Sequence, residues 1–214
     1  MKKFAIILSG CGSPDGSEIH ESVCLMLAIK QLGSDYQCFS INRNQTVVLN
    51  AINGRIINQE RNMLVESARI AKGNIKELKD LNVDDYDGII LPGGSGATLN
   101  LSNFKLNKNN YNVDEELAKK LVEFRNQNKV ICAVCIAPVI LAKVFKNIEI
   151  TVGNDEDIEK VIYSLGNTAY KTKSGEIYID QINKIITAPF YMMTTDISII
   201  YNEAYKVIEE ALKL

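Results

Sequence analysis

"KVICAVCIAPVILAKVF", residues 129–145, passes from an apolar run of strand length into a helical pattern with only Cys135 and Ile136 between them. A continuous apolar run suits a parallel strand covered on both faces, and a helix directly behind it is the repeating unit of an α/β sheet. Two cysteines three apart at this junction have four readings: a redox pair, half of a metal site, core, or a single nucleophile with a neighbour.

A redox pair of the thioredoxin kind needs both thiols on the first helical turn. Cys132 lies on the strand side and only Cys135 reaches the turn, so a disulfide between them is geometrically awkward. Zinc needs four ligands, and the chain offers one histidine and no second cysteine pair. Cys132, with apolar neighbours on both sides, reads as core. Cys135 has Ala133 two before it and Ala137 two after. That is the small-x-nucleophile-x-small spacing of a nucleophile elbow, where a strained turn tolerates only small neighbours. Pro138 takes the first helical position, where proline is favoured. A thiol there faces a helix N-terminus, whose partial charge and free N–H groups favour the thiolate. A buried cysteine at a strand end is the plainer alternative.

Working outward, similar passages recur. "KFAIILS" (3–9) reads as a strand, then comes a turn-rich loop, then a helix from Ser17 to Gly33. Residues 36–41 read as the next strand. Residues 42–59 form an excursion in which Asn53-Gly54 between apolar runs signals a hairpin. A helix follows over 60–73, and then "YDGIILPGGSGA" (86–97), a buried strand running into a glycine-rich loop. Residues 98–112, rich in Asn and Lys, read as loop, and 113–129 as an amphipathic helix with acids in its first turn. After the elbow come a short strand (149–153), a helix (155–166), two strands within 175–189 and a final helix over 197–214. The alternation predicts a parallel sheet with helices on both faces, and ligands in such sheets bind outside the carboxyl ends of the strands. The loops at 10–17, 92–97 and 134–137 are therefore the candidate site.

Gly93, Gly94, Ser95 and Gly96 lie in the second of these loops. Successive glycines after a strand let backbone N–H groups converge on an anion, so an oxyanion pocket beside the elbow is expected. No GK[ST] follows, and Pro92 with the Asn/Lys-rich stretch stands where a dinucleotide fingerprint needs a helix. A tight turn with glycines for geometry alone is the alternative. The first loop leads into Glu18 and Glu21, three apart on one helix face, with His20 between them. Either carboxyl, leaning over the elbow, would have its pKa raised and could carry protons. Ordinary first-turn acids are the competing reading.

The chain has 214 residues, 46% hydrophobic and 23% charged, which suits one globular domain over 1–214. A net charge of −2 without a basic stripe gives no footprint for nucleic acid. No stretch reaches the length of a membrane span. The apolar run at 4–8 is too short for a signal peptide. A cytoplasmic protein is expected, or one in an organelle matrix, with its five cysteines as free thiols.

"ILSGCGSPDGSEIHE", "QERNMLVESARIAKG", "LPGGSGATLNLSNF", "CIAP" and "NKIITAPFYM" together resemble the ElbB family, known as enhancing lycopene biosynthesis or sigma cross-reacting proteins. The match runs in order from about Lys3 to Met193. This family belongs to the class I glutamine amidotransferase-like superfamily, with the Parkinson's-linked deglycase and the PfpI-type proteases. The resemblance implies a flavodoxin-like three-layer α/β sandwich with a mostly parallel sheet and a nucleophile elbow, and a homodimer. It implies Cys135 as the nucleophile and Glu21 as the carboxyl on its thiol, with Glu18 next in line. The N–H groups of Gly93, Gly94 and Ile136 would form the oxyanion site, with Ser95 and Gly96 beside them.

One departure matters. Amidotransferases need a histidine downstream of the cysteine, and relatives often carry one directly after it. Ile136 stands there, and His20 is the only histidine. Glutamine hydrolysis and proteolysis by a Cys-His-Glu triad are thus disfavoured. The expected activity is a glutathione-independent conversion of small dicarbonyls, glyoxal to glycolate, assisted by His20 and without metal or organic cofactor. An oxidation sensor using the same thiol is the alternative. A role in isoprenoid metabolism rests on the family name alone.

Overall fold

The computed structural model describes residues 1–214. The elements run β1 (Lys3–Ile7), α1 (Ile19–Gln31), β2 (Asp35–Ser40), α2 (Met63–Ile70), β3 (Ile75–Glu77), β4 (Gly88–Leu91), α3 (Ser95–Leu99), α4 (Glu115–Asn126) and β5 (Val130–Val134). Then follow α5 (Pro138–Val144), β6 (Glu149–Ile150), α6 (Glu156–Ser164), β7 (Thr168–Ala169), β8 (Tyr178–Asp180), β9 (Ile185–Ala188) and α7 (Ile197–Lys213).

The main sheet has seven strands in the order β3-β2-β1-β4-β5-β9-β8. All neighbours are parallel except β8 against β9. Along β5, Ile131 and Ala133 face one core while Val130, Cys132 and Val134 face the other. Strand alternation therefore buries successive residues on opposite faces, which is why these strands read as unbroken apolar runs. Phe124, Leu117 and Leu121 of α4 pack with the first core; Leu25 and Ile29 of α1 and Val207 and Ile208 of α7 pack with the second. This is the flavodoxin-like α/β sandwich. The chain leaves β1 toward β2 and β3, then returns to build β4, β5 and β9 on its other side. That reversal opens a crevice beyond the carboxyl ends of β1 and β4.

Three expectations change. The glycine-rich stretch is not loop throughout, because α3 begins at Ser95. Gly94, at φ 88°, makes the turn into it. The hairpin at Asn53-Gly54 forms but is short, with one antiparallel bridge, Leu49 with Ile56, and two cross-strand bonds at 2.8 Å, Asn50 N–H to Arg55 O and Ile57 N–H to Val48 O. Its first arm also bonds to other segments: Leu49 N–H donates to Asp15 Oδ2 at 2.6 Å and Thr46 N–H to Asn100 Oδ1 at 2.9 Å. Finally, β3 and β7 form from polar stretches with no strand pattern. No helix is long and apolar enough to cross a membrane.

Candidate active site

Cys135 follows β5 at φ 57°, in the left-handed region where a non-glycine residue costs on the order of 1–3 kcal/mol. Its N–H donates to Ala188 O at 2.8 Å, tying the turn to the end of β9. Ala133 and Ala137 are fully buried, so no larger neighbour would fit. The residue is 7% exposed. Cys132 is completely buried and, like all five cysteines, free.

Gly93 shows how tightly the site closes. A Cβ there would lie 2.5 Å from Cys135 Cβ, 3.0 Å from its Sγ and 2.8 Å from Glu21 Oε2. Thiol and carboxyl thus converge on a space that only glycine leaves open. Glu21 sits in the first turn of α1, fully buried, and its Oε2 accepts from Gly93 N–H at 2.8 Å. The other oxygen, Oε1, is buried without a hydrogen-bond partner.

Burial, then the charge of Glu18, pushes the Glu21 carboxyl up to about 8, against the pull of Cys135 and the N–H groups of Gly93 and Tyr191. The Cys135 thiol is also held well above its ordinary value, first by burial and then by Glu21, against the N–H groups of Gly94 and Ile136. The expected helix-stabilised thiolate is therefore corrected. α5 is only seven residues long, and desolvation beside a carboxyl outweighs its dipole. The thiol needs a partner to take its proton, and Glu21 is in place for that.

The other expected residues fall as follows. Glu18 caps α1, its Oε2 accepting from Glu21 N–H at 2.7 Å. It raises Glu21 by its charge and is not the carboxyl on the thiol. His20 is exposed at the pocket mouth, its Nδ1 2.7 Å from Tyr191 Oη. The oxyanion set narrows: Gly93 N–H is taken by Glu21, Ser95 N–H by Ser13 O at 2.8 Å and Gly96 N–H by Gly16 O at 2.9 Å. Gly96 instead packs the loops together, since a Cβ there would lie 2.3 Å from Ser9 Oγ. The N–H groups of Gly94 and Ile136 face the sulfur.

Gly94, Ser95, Cys135 and Ile136 line a cavity of about 690 Å³. Its walls include Ser13, Thr98, Phe104, Lys105, Lys108, Tyr191 and Met192. Of the two irregular segments, 98–112 borders the cavity and 42–59 does not. Tyr191, Lys105 and Lys108 escaped sequence reasoning. The signal for Tyr191 was a further strand-end loop, "APFYM", after β9. Phe190 adopts φ 43°, and its N–H donates to Oε2 of the fully buried Glu203 at 2.9 Å. That clamp turns the next residue so that Tyr191 N–H lies close enough to pull the Glu21 carboxyl down and its hydroxyl reaches His20. No group of three or more His, Cys, Asp or Glu gathers as a metal-ligand set.

The profile of the DJ-1/PfpI family matches residues 46–188. That span holds the elbow and the glycine turn but not Glu21. Glutamine amidotransferase-like class 1 domain-containing protein 3, mitochondrial, of Homo sapiens is 35% identical over 99% of this chain and 83% of its own. ES1 protein, mitochondrial, of Danio rerio is 28% identical over 90% of this chain and 78% of its own. The crystal structure of an isoprenoid biosynthesis protein with amidotransferase-like domain from Ehrlichia chaffeensis superposes with a TM-score of 0.91 at 30% identity, covering 99% of each chain. Glyoxalase III from Candida albicans superposes with a TM-score of 0.63 at 17% identity, covering 99% of this chain and 96% of its own, which is a likeness of fold.

Proposed function

Because the chain belongs to the DJ-1/PfpI family and holds a strained thiol beside a buried carboxyl, we propose that it is a glyoxalase-like enzyme acting on small reactive dicarbonyls. The observation that carries this reading is Glu21. A fully buried carboxyl with one unpartnered oxygen, coupled to a nucleophile, suits proton transfer on a bound substrate.

With glyoxal, Cys135 Sγ forms a bond to one aldehyde carbon. Glu21 takes the thiol proton and returns it to that carbonyl oxygen, giving a hemithioacetal. The oxygen's developing charge is met by the N–H groups of Gly94 and Ile136. Glu21 then removes the C–H proton of the same carbon, and the electron pair moves into an enediolate. The carboxyl protonates the second carbon while the hydroxyl proton on the first passes to the oxygen on the second. The first carbon is now oxidised to a thioester and the second reduced to an alcohol. Water cleaves the C–S bond, releasing glycolate and the thiol. His20 and Tyr191 at the mouth assist the oxygen-to-oxygen transfer. No metal or organic cofactor enters the scheme.

The reading includes a homodimer, for which sedimentation at twice the mass of one chain is the test. Relatives named as mitochondrial favour an organelle matrix, the second of the two compartments expected from the sequence. The test is glycolate formation from glyoxal without glutathione. Cys135→Ser and Glu21→Gln should each lower turnover by at least about 100-fold, and Cys132→Ala should retain it. No turnover by the native protein would sink the reading, and loss with Cys132→Ala would revive the redox pair.

A further inference from the structure

The cavity above Cys135 is far larger than a dialdehyde as small as glyoxal requires, and its wall carries two lysines outside any ion pair against a single acid, Glu18. Lys105 and Lys108 both line it. Lys105 Nζ donates to the neutral Ser95 Oγ at 2.9 Å, so its ammonium is anchored one residue from Gly94, whose N–H faces the sulfur. Neither lysine is in an ion pair. Asp157, the acid that feels Lys108, is already bridged to Lys160 at 3.1 Å. Glu18 is the acid in the cavity wall, and its carboxylate is engaged in capping α1. A surface lysine is ordinarily a solvated charge. These two differ because they share the wall of a concave site with the nucleophile and lack acidic partners. With two lysines against one glutamate the wall is net positive, and a concave site concentrates such a field on an incoming anion. This happens on a chain whose net charge is −2, so the positive wall is a local feature.

We infer that the site takes reactive carbonyl compounds bearing an anionic group, with Lys105 and Lys108 holding the anion while the carbonyl carbon meets Cys135. This rests on the glyoxalase-like reading and narrows its substrate class to α-oxoaldehydes ending in a carboxylate or phosphate. The covalent steps are those given above, and the anionic end takes no part in them.

Two matched comparisons test it. The first is turnover of an α-oxoaldehyde ending in a carboxylate against its uncharged, methyl-ended counterpart of equal length. The second needs no catalysis: the rate at which iodoacetate and iodoacetamide alkylate Cys135, followed at that residue by mass spectrometry. Native protein, the Lys105→Ala/Lys108→Ala double variant and the charge-keeping Lys105→Arg/Lys108→Arg variant are compared. The anionic-to-neutral ratio should fall about tenfold in the alanine variant by both readouts and stay near native in the arginine variant. Raised salt should lower the native ratio. An alkylation ratio indifferent to the lysines overturns the inference. If that ratio falls while native protein turns over no dicarbonyl, the anion site stands and the glyoxalase-like reading fails. If the uncharged substrate turns over and neither ratio responds to the lysines, the glyoxalase-like reading stands and the anion site falls.

Discussion

Cys135 carries the strain of the site in its own backbone. At φ 57° a Cβ is disfavoured and glycine is at ease. In most settings Ala is more stable than Gly, because glycine has more freedom to lose on folding. Here the sign should reverse. Urea unfolding of Cys135→Gly and Cys135→Ala, both inactive, should show the glycine variant more stable by about 1 kcal/mol. Equal stability, or the usual order, would mean that the elbow is relaxed. The elbow cysteine, its alanines and Pro138 were legible because short-range sterics dictate them. The fate of each glycine N–H was not, since Gly93 and Gly96 find their partners on segments more than 70 residues away.

At the scale of elements, the site depends on a contact between α7 and the turn after β9. Glu203 on α7 accepts from Phe190 N–H and from Gly175 N–H, although nothing but helical periodicity marks it in the sequence. It is a positioning residue, acting through the backbone that delivers Tyr191 to Glu21. Glu203→Ala leaves a buried donor unmet and should cost about 1–3 kcal/mol of stability. It should also lower kcat at temperatures where the variant is fully folded. Glu203→Gln keeps one acceptor oxygen and should recover most of that kcat. A kcat unchanged in Glu203→Ala would show that Phe190 holds its turn unaided. Helices α1, α4, α5 and α7 and the central strands were readable from periodicity and caps. The hairpin at Asn53-Gly54 was readable because its turn is local, whereas its ties to Asp15 and Asn100 were not, because those partners lie more than 30 residues away in the chain.

For the whole molecule, the buried Glu21 couples stability to pH. Its folded pKa, about 8, lies above its ordinary value of 4.5. Between these values the folded state binds the proton that the unfolded state has lost. Its stabilising share is therefore complete below about pH 4.5 and lost as pH rises through about 8. Over that window native stability should fall with pH by up to about 1.4 kcal/mol per unit from this group. Glu21→Gln should flatten the slope, as read by urea unfolding at a series of pH values. A slope unchanged in the variant would place the coupling elsewhere. Activity should move the other way, rising as pH approaches 8 and Glu21 becomes able to take the thiol proton.

By itself the sequence determined the sandwich, the elbow and the candidacy of Cys135 and Glu21, because burial patterns, turn sterics and residue chemistry act over a few positions. It could not choose between Glu18 and Glu21, which differ only in which one α1 points inward and which one caps the helix. Nor could it place Lys105 and Tyr191 around one cavity, or Glu203 behind the turn that carries Tyr191. Those choices come from strand order and from which hydrogen-bond donors reach which acceptors, long-range constraints that only the folded chain resolves.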